Sequence, residues 1–264
     1  DINGNIFIPL QTDIAVSHHF RIKLYDADPN VLTTFSNSNV EFMIGVNDLQ
    51  RNEVLGNNDI TSYNNLLPAM QSVYNALVKL GLSQQVTVTT SHSFIIMSNS
   101  FPPSSGDPQH VSLNYVLFQP NSGSIDPATN LHYDNMLYAQ IDAVYAAIKA
   151  LGHTDIEVKI SETGWPSKGD PDEVGASMQN AEIYHSNLLK RIAMKQGTPA
   201  KPSVPIDIYV FALFNEDLKT GAASERNYGL YYPDGTPVYN IGLQNQGQGQ
   251  GGYFPEMVIE SKSN

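Results

Sequence analysis

Three stretches of this chain repeat one pattern, in which an amphipathic helix ends at a glycine and a run rich in β-branched residues follows. Apolar residues recur at helical spacing in each helix. The helix, glycine and strand of the three copies are 66–80, Gly81 and 86–93, then 137–151, Gly152 and 158–165, then 183–192, Gly197 and 206–216. Helices that alternate with strands predict a mostly parallel sheet, because parallel strands need a long crossover between them.

Two more strand candidates precede these copies, at 21–26 and 40–46, with a short helix-compatible stretch between them. No glycine-rich phosphate loop of either usual spacing follows a predicted strand, which argues against a nucleotide-binding open sheet. With 264 residues, 41% of them hydrophobic, the chain can bury one barrel-sized core. The sequence therefore predicts an α/β fold, a (β/α)8 TIM barrel, as one domain over 1–243. The stretch 244–252, rich in glutamine and glycine, predicts a flexible tail over 244–264.

The charge of the chain bears on its partners. The formal net charge is −12 and there is no basic run, so nucleic acid and anionic membrane surfaces are not expected partners and a neutral ligand is. The longest apolar run, 208–214, is far too short to span a bilayer, and no secretory leader precedes Asp1, so we expect a mature soluble chain. The absence of cysteine excludes disulfides and thiol chemistry.

Polar side chains stand at the ends of the predicted strands, where barrels and open sheets collect their chemistry. They are Tyr25-Asp26, His92-Ser93, Glu162 and Asn215-Glu216. Glu162 is followed three residues later by Trp165, the single tryptophan. An indole beside a carboxylate suits the apolar face of a sugar ring, so this pair indicates a glycosidase. Two other interpretations stay open, a salt bridge from Glu162 that pins a loop and an indole that only caps the barrel mouth.

Glycoside hydrolysis needs a second carboxyl group. The candidates are Glu53, Glu216, Asp217 and Glu225, and spacing alone does not choose among them because barrel partners meet in space. Other hydrolase chemistries fit less well. The seven histidines have no metal-ligand spacing and there is no G-x-S-x-G motif, so neither a metal site nor a serine hydrolase is expected.

The run VKISETGWPSKGD, residues 158–170, resembles the nucleophile signature of glycoside hydrolase family 17, the plant β-1,3-glucanases. The stretches 21–46, 65–82 with 101–106, and 209–243 resemble the same family, and together they cover most of the chain. The resemblance implies a (β/α)8 barrel that cleaves internal β-1,3-glucosidic bonds with retention of configuration. Such two-carboxylate chemistry needs no cofactor.

The resemblance also implies roles for single residues. Glu162 corresponds to the nucleophile, Glu53 in RNEVLGNND to the acid/base, and Asn52 to the neighbour that hydrogen-bonds the sugar 2-hydroxyl. A polar cluster near the acid side of the cleft and two aromatic residues of the cleft wall complete the set. With Trp165, these substrate-binding residues are Tyr25, Phe214, Glu216, Lys219 and Glu225.

The chain departs from the family pattern at two junctions, after Gln50 and after Gly106, where segments of the family, each with a strand, are absent. Arg51 also stands where a glycine is expected. A closed barrel cannot lose two inner strands and keep its core, so we expect the whole molecule to contain them. If it does not, Glu53 stands beside a junction that the family does not have.

The leading hypothesis is therefore a secreted, monomeric β-1,3-glucanase of the extracellular space or cell wall, with a role in plant defence. Two alternatives stay open, a glucan-binding wall protein that has lost turnover and an enzyme for mixed-linkage (1,3;1,4)-β-glucan. The closing VIESKSN is compatible with the stub of a processed lipid anchor, although no membrane span is expected.

Overall fold

The computed structural model describes residues 13–14, 20–25, 27–36, 38, 40–45, 60–94, 111–241 and 259–260. The chain divides into two compact units, residues 20–100 and residues 1–19 with 101–264. The prediction of one domain over 1–243 followed by a tail stays a prediction. Among the described residues, no helix is long and apolar enough to cross a bilayer.

The secondary structure alternates between strands and helices along most of the described chain. The strands are β1 (Asp13–Ile14), β2 (Phe20–Leu24), β3 (Val40–Ile44), β4 (Ser124–Ile125), β5 (His132–Tyr133), β6 (Lys159–Thr163), β7 (Asp207–Val210) and β8 (Ile259–Glu260). The helices are α1 (Pro29–Thr34), α2 (Ile60–Lys79), α3 (Leu113–Val116), α4 (Met136–Ala150), α5 (Met178–Ala193) and a 3₁₀ helix (Ala223–Arg226).

The unit formed by residues 20–100 contains a β2–α1–β3 crossover, as the sequence predicts. β2 and β3 are parallel and in register from Phe20 opposite Val40 to Leu24 opposite Ile44. The connecting helix α1 begins with Pro29, whose fixed φ suits the first helical position. Asp28 precedes it, and its Oδ1 accepts the Asn30 N–H at 2.8 Å.

Helix α2 follows in the same unit and ends where the sequence predicts. Gly81 adopts a positive φ of 71°, the left-handed conformation that terminates helices. The predicted strand over 86–93 is wrong, because no described strand pairs with those residues. A β-rich sequence becomes a strand only where a neighbour supplies the hydrogen-bonding edge.

The unit that contains residues 101–264 carries the two other predicted copies. Helix α4 starts with Asn135, whose Oδ1 accepts the Tyr138 N–H at 2.9 Å, and Gly152 follows its end with a φ of 91°. Helix α5 connects β6 to β7, which are parallel, with Lys159 opposite Asp207 and Thr163 opposite Val210. The register shifts between Ile160 and Thr163, near the end of β6. β4 with β5 and β1 with β8 form short antiparallel pairs.

The core of this unit lies between α5, β7 and the segment 230–241. Leu117 and Leu188 are fully buried, and Leu189 packs in a second cluster with Leu230 and Tyr239. Trp165 and Val210 pack against both clusters, so the loop after β6 is anchored in the core. Buried apolar side chains therefore hold the carboxyl ends of β6 and β7 in place.

Candidate active site

Glu162 lies one residue before the end of β6, and its side chain is exposed. The next carbonyl, that of Thr163, accepts the Phe211 N–H at 2.8 Å, which continues the pairing of β6 with β7 beyond the strands. The carboxyl end of the β6–β7 pair therefore presents a glutamate to solvent, as the sequence predicts for a parallel sheet.

Three predicted residues, Glu216, Lys219 and Glu225, form one cluster. The Lys219 Nζ lies 3.0 Å from Glu225 Oε2 and 3.4 Å from Glu216 Oε2. The same Nζ lies 5.1 Å from the centroid of the Phe211 ring, so the cluster adjoins the end of β7. Burial lowers the pKa of Lys219, but the hydrogen bond to Glu225 and the two negative charges outweigh it and raise the pKa overall. Lys219 is therefore a fixed cation between two carboxylates.

Phe211 and Tyr228 lie next to this cluster, and no motif in the sequence marks either residue. Their ring centroids are 5.4 Å apart. Burial raises the pKa of Tyr228, and the charges of Glu225 and Glu173 raise it further, so its hydroxyl stays protonated at neutral pH. Phe211 lies inside an apolar run and Tyr228 in a loop, and only the fold places them together.

Gly164, directly after β6, is required by a close backbone contact. A Cβ at this position would lie 1.8 Å from the Phe211 carbonyl oxygen. Any larger residue would push apart the ends of β6 and β7, where Glu162 and Phe211 lie. This contact gives a physical reason for glycine in SETGWP.

Trp165 is held by the loop that follows it. Its Nε1–H donates to the Gly175 carbonyl at 2.9 Å, and its ring lies 5.7 Å from that of Tyr184 at an angle of 33°. The Tyr184 hydroxyl lies 2.5 Å from the Thr163 Oγ1, and burial raises its pKa to about 12. Trp165 is partly buried, so this packing leaves part of the residue exposed. A sugar-binding role for it stays a prediction.

Phe214 and Glu216 lie on a segment that pairs with residues 226–231. The Phe214 ring is 6.2 Å from that of Tyr231, and the Glu216 N–H donates to the Arg226 carbonyl at 3.2 Å. Between them Asn215 is buried, and its Oδ1 accepts the Gly229 N–H at 2.8 Å. The side-chain amide of Asn215 therefore makes a structural hydrogen bond with Gly229.

Three predicted site residues, Glu53, Asn52 and Tyr25, come from the part of the chain before residue 101. Glu53 and Asn52 lie outside the described residues, and their roles stay predictions. Tyr25 belongs to the unit of residues 20–100, where it directly follows β2, and Lys23 Nζ lies 4.8 Å from its ring centroid. Within the described ranges, no three histidine or acidic side chains are arranged to hold a metal ion.

Comparison with known proteins is consistent across sequence and structure. The sequence profile of the glycosyl hydrolases family 17 matches residues 105–243, which hold Glu162, Trp165 and Lys219. Glucan endo-1,3-beta-glucosidase 14 of Arabidopsis thaliana is 50% identical, over 92% of this chain and 78% of the relative. Glucan endo-1,3-beta-glucosidase 11 of the same plant is 44% identical, over 89% and 71%.

Two solved structures share the fold. CJP38, a β-1,3-glucanase and allergen of Cryptomeria japonica pollen, has a TM-score of 0.67 at 31% identity, over 80% of this chain and 74% of that one. A plant β-glucan endohydrolase, described as one of two with distinct substrate specificities, has a TM-score of 0.70 at 26% identity, over 84% and 90%. The predicted fold class, an α/β (β/α)8 barrel, is confirmed by this likeness, and the parallel pairs β2–β3 and β6–β7 are the parts of it that the described residues show.

The alignment with the first of these Arabidopsis relatives also bears on the two junctions. It runs over 312 residues, more than the 264 of this chain, so the relative carries residues that this chain lacks within the aligned span. This agrees with the predicted absence of family segments, although it does not place them. On its sequence profile, its identity to these relatives and its fold, the chain belongs to glycosyl hydrolase family 17.

Proposed function

We propose that this enzyme hydrolyses internal β-1,3-glucosidic bonds in the β-1,3-glucans of cell walls. Hydrolysis of β-1,3-glucan is supported by the names of relatives that are 50% and 44% identical, both glucan endo-1,3-beta-glucosidases. The observation that carries the proposal within the chain is the exposed carboxylate of Glu162 at the carboxyl end of the β6–β7 pair, the same end at which the Lys219 ammonium lies over the Phe211 ring. Carboxylates at strand ends are the usual catalytic groups of a barrel hydrolase.

The chemistry proposed is a double displacement with retention of configuration. The Glu162 carboxylate attacks the anomeric carbon while an acid protonates the leaving oxygen, and water then releases the sugar from the glycosyl ester. Glu53 is proposed as the acid, and as the base of the second step, on its resemblance to the family motif. Asn52 is proposed to hold the 2-hydroxyl of the sugar.

The described side chains suit the recognition of a neutral sugar polymer. Lys219 offers N–H donors, and Glu216 and Glu225 offer acceptors, which together match sugar hydroxyls that both donate and accept. Trp165 and Phe214, with Tyr25, are proposed to contact the apolar faces of the sugar rings. The Lys219 cation also offsets the negative charge of Glu216 and Glu225.

The test is product analysis on a linear β-1,3-glucan, with proton NMR of the anomer that is released first. We expect short oligosaccharides with the β configuration from the wild-type chain. Glu162→Gln should lower kcat by several orders of magnitude. Catalytic residues act together, so loss of the nucleophile alone removes most of the rate enhancement. Glu157→Gln, at an exposed glutamate five residues earlier, is the matched control and should leave kcat unchanged. Intact turnover in Glu162→Gln would refute the assignment.

Mixed-linkage glucan is a second candidate substrate. It is favoured by the fold's likeness to a β-glucan endohydrolase whose description speaks of distinct substrate specificities. The same assay on a (1,3;1,4)-β-glucan distinguishes the two, since the better substrate has the higher kcat/KM.

A binding protein without turnover is the third candidate. It is favoured by the residues that this chain lacks within its alignment to the relative. Glucan binding with no product from either polymer, in a sample whose intact mass matches 264 residues, would support it.

The setting of the activity is also a proposal. A wall polysaccharide as substrate supports a secreted enzyme in the extracellular space or cell wall. Size-exclusion chromatography tests whether the enzyme is a monomer, and treatment of membranes with a phospholipase tests whether a lipid anchor holds it there.

A further inference from the structure

Two segments far apart in the chain, residues 164–177 and 222–227, are joined by a series of hydrogen bonds. The Ser167 N–H and hydroxyl both donate to the Asn227 carbonyl, at 2.8 Å and 3.0 Å. The Asp170 Oδ2 accepts the Ala223 N–H at 2.9 Å. The first segment carries Trp165, and the second contains the 3₁₀ helix with its glutamate, Glu225.

Glu173 is the centre of this connection, because three donors converge on its carboxylate. It accepts the Asp170 N–H at 2.7 Å, the Ser224 N–H at 3.2 Å and the Ser224 hydroxyl. Ser224 is buried, and the hydrogen bond from its hydroxyl and that from the Asp170 N–H hold the pKa of Glu173 below its usual range. Glu173 is therefore ionised near neutral pH and has the acceptor capacity that these donors need.

The 3₁₀ helix depends on this connection. A helix leaves its first N–H groups without partners inside the helix, and no side chain of its own segment caps this one. The N–H groups of Ala223 and Ser224 are satisfied from the other segment, by Asp170 and Glu173. A helix of four residues has no stability of its own, so its position is set by these two carboxylates.

The position of the helix in turn sets the position of the cluster. Glu225 lies inside it and contacts Lys219 at 3.0 Å. Arg226, the next residue, donates from Nη1 to the carbonyls of Lys219 at 3.0 Å and Gly221 at 3.1 Å. On the other side, the Glu173 carbonyl accepts the Ala176 N–H at 2.9 Å, one residue after the glycine that holds the indole of Trp165.

We propose that Glu173 is a positioning residue of the sugar site, which holds Trp165 and the Glu225–Lys219 pair in one fixed arrangement so that both engage the same glucan chain. This inference rests on the proposed function. Glu173 acts through its neighbours, since its carboxylate is occupied by the donors of Asp170 and Ser224.

The test uses Glu173→Gln in the full chain, with Asp172→Asn as the matched control at an exposed acid of the same loop. Glutamine has an NH₂ group in place of one carboxylate oxygen, and this donor would face the donors of Asp170 or Ser224. We expect kcat/KM on β-1,3-glucan to fall by about tenfold, the factor of one charge-assisted hydrogen bond. The loss should appear in KM, because the groups held by Glu173 contact the sugar chain and not the reacting bond. Partial unfolding would instead lower the apparent kcat and leave KM unchanged.

A second readout does not depend on activity. Trp165 is the only tryptophan, so fluorescence excited at the red edge of its absorption, where the 14 tyrosines absorb little, reports on this loop alone. In Glu173→Gln the emission should shift to longer wavelength and quenching by acrylamide should increase, while Asp172→Asn should match the wild type. Ser224→Ala removes one of the three donors, so it should shift the emission and the quenching in the same direction but by less. It takes the place of Glu173→Gln if that variant does not fold.

The outcomes separate the inference from the proposed function. A wild-type chain that hydrolyses no glucan refutes the function, and fluorescence still decides whether Glu173 controls the loop. An active wild type with unchanged KM and unchanged quenching in both Glu173→Gln and Ser224→Ala overturns the inference. A change in quenching with unchanged KM also overturns it, because the connection would then be structural only.

Discussion

At the scale of single residues, Gly164 offers the sharpest test of the fold at the site. A Cβ on this residue meets the Phe211 carbonyl oxygen at 1.8 Å, a backbone atom that cannot turn away. We expect Gly164→Ala to lower the free energy of unfolding by about 2 to 3 kcal/mol, typical of overpacking. Because the shift falls next to Glu162, glucan hydrolysis should fall as well.

Gly81→Ala is the matched control for this change. A Cβ there meets nothing within 4 Å, so the only expected cost is that of its positive φ of 71°, about 1 to 2 kcal/mol. Urea denaturation of both variants measures the two costs. Because Gly164 has no positive φ, an unchanged free energy of unfolding in Gly164→Ala would mean that the contact with Phe211 contributes nothing.

His185 is the second residue with a measurable consequence. Its ring is fully buried, its Nε2 has no hydrogen-bond partner, and burial lowers its pKa from 6.5 to about 4. As the pH falls below 6.5, the unfolded chain binds a proton at this ring while the folded chain stays neutral until about pH 4. Stability is therefore lost across that window, by on the order of 3 kcal/mol from this residue.

The effect is measured by urea denaturation at a series of pH values between neutral and pH 4. His185→Phe should flatten the dependence relative to the wild type, and His153→Gln, at an exposed histidine, should leave it unchanged. If His185→Phe keeps the wild-type slope, the ring is not the group that titrates.

At the scale of elements, Asp142 links α4 to the loop before β7. This buried carboxylate accepts hydrogen bonds from the Tyr133 hydroxyl at 3.0 Å, the Ala200 N–H at 2.9 Å and the Thr198 hydroxyl. Asparagine lacks one of the two acceptor oxygens, so Asp142→Asn leaves a buried donor unsatisfied.

We expect Asp142→Asn to lower the free energy of unfolding by about 1 to 3 kcal/mol, the cost of an unsatisfied buried polar group. Thermal unfolding compares it with Asp155→Asn, an exposed aspartate on the loop after α4. If Asp155→Asn melts at as low a temperature as Asp142→Asn, the loss of stability comes from the lost charge and not from the lost hydrogen bond.

The elements also show what a sequence can predict. Helices α2 and α4 were predictable with their carboxyl ends, because apolar spacing and a glycine with positive φ are local properties, although α2 begins at Ile60, six residues before the predicted start. The strand over 86–93 was not, because strand formation depends on a partner that local sequence does not encode.

The candidate site divides in the same way. Glu162 at a strand end followed from alternation, and the grouping of Glu216, Lys219 and Glu225 from family resemblance. Phe211, Tyr228 and Glu173 could not be found from the sequence. Their contacts join residues that are distant in the sequence, Phe211 with Tyr228 and Glu173 with Ser224, and no local pattern marks such a meeting.

At the scale of the whole molecule, the family and the charge point to the same kind of substrate. A net charge of −12 on 264 residues surrounds the chain with a negative field. That field neither attracts nor repels a neutral glucan. It repels an anionic polymer, over a distance of roughly 30 Å at 0.01 M salt and only about 8 Å at 0.15 M.

We therefore expect kcat/KM on neutral β-1,3-glucan to be independent of salt between these two concentrations. On the same glucan after carboxymethylation, kcat/KM should be low in dilute buffer and should recover as salt screens the repulsion. The two polymers share one backbone, so each serves as the control for the other. Neutral glucan whose hydrolysis falls steeply with added salt would contradict the argument, because it would mean that unscreened charge, and not hydrogen bonding and ring contacts, brings the substrate to Glu162.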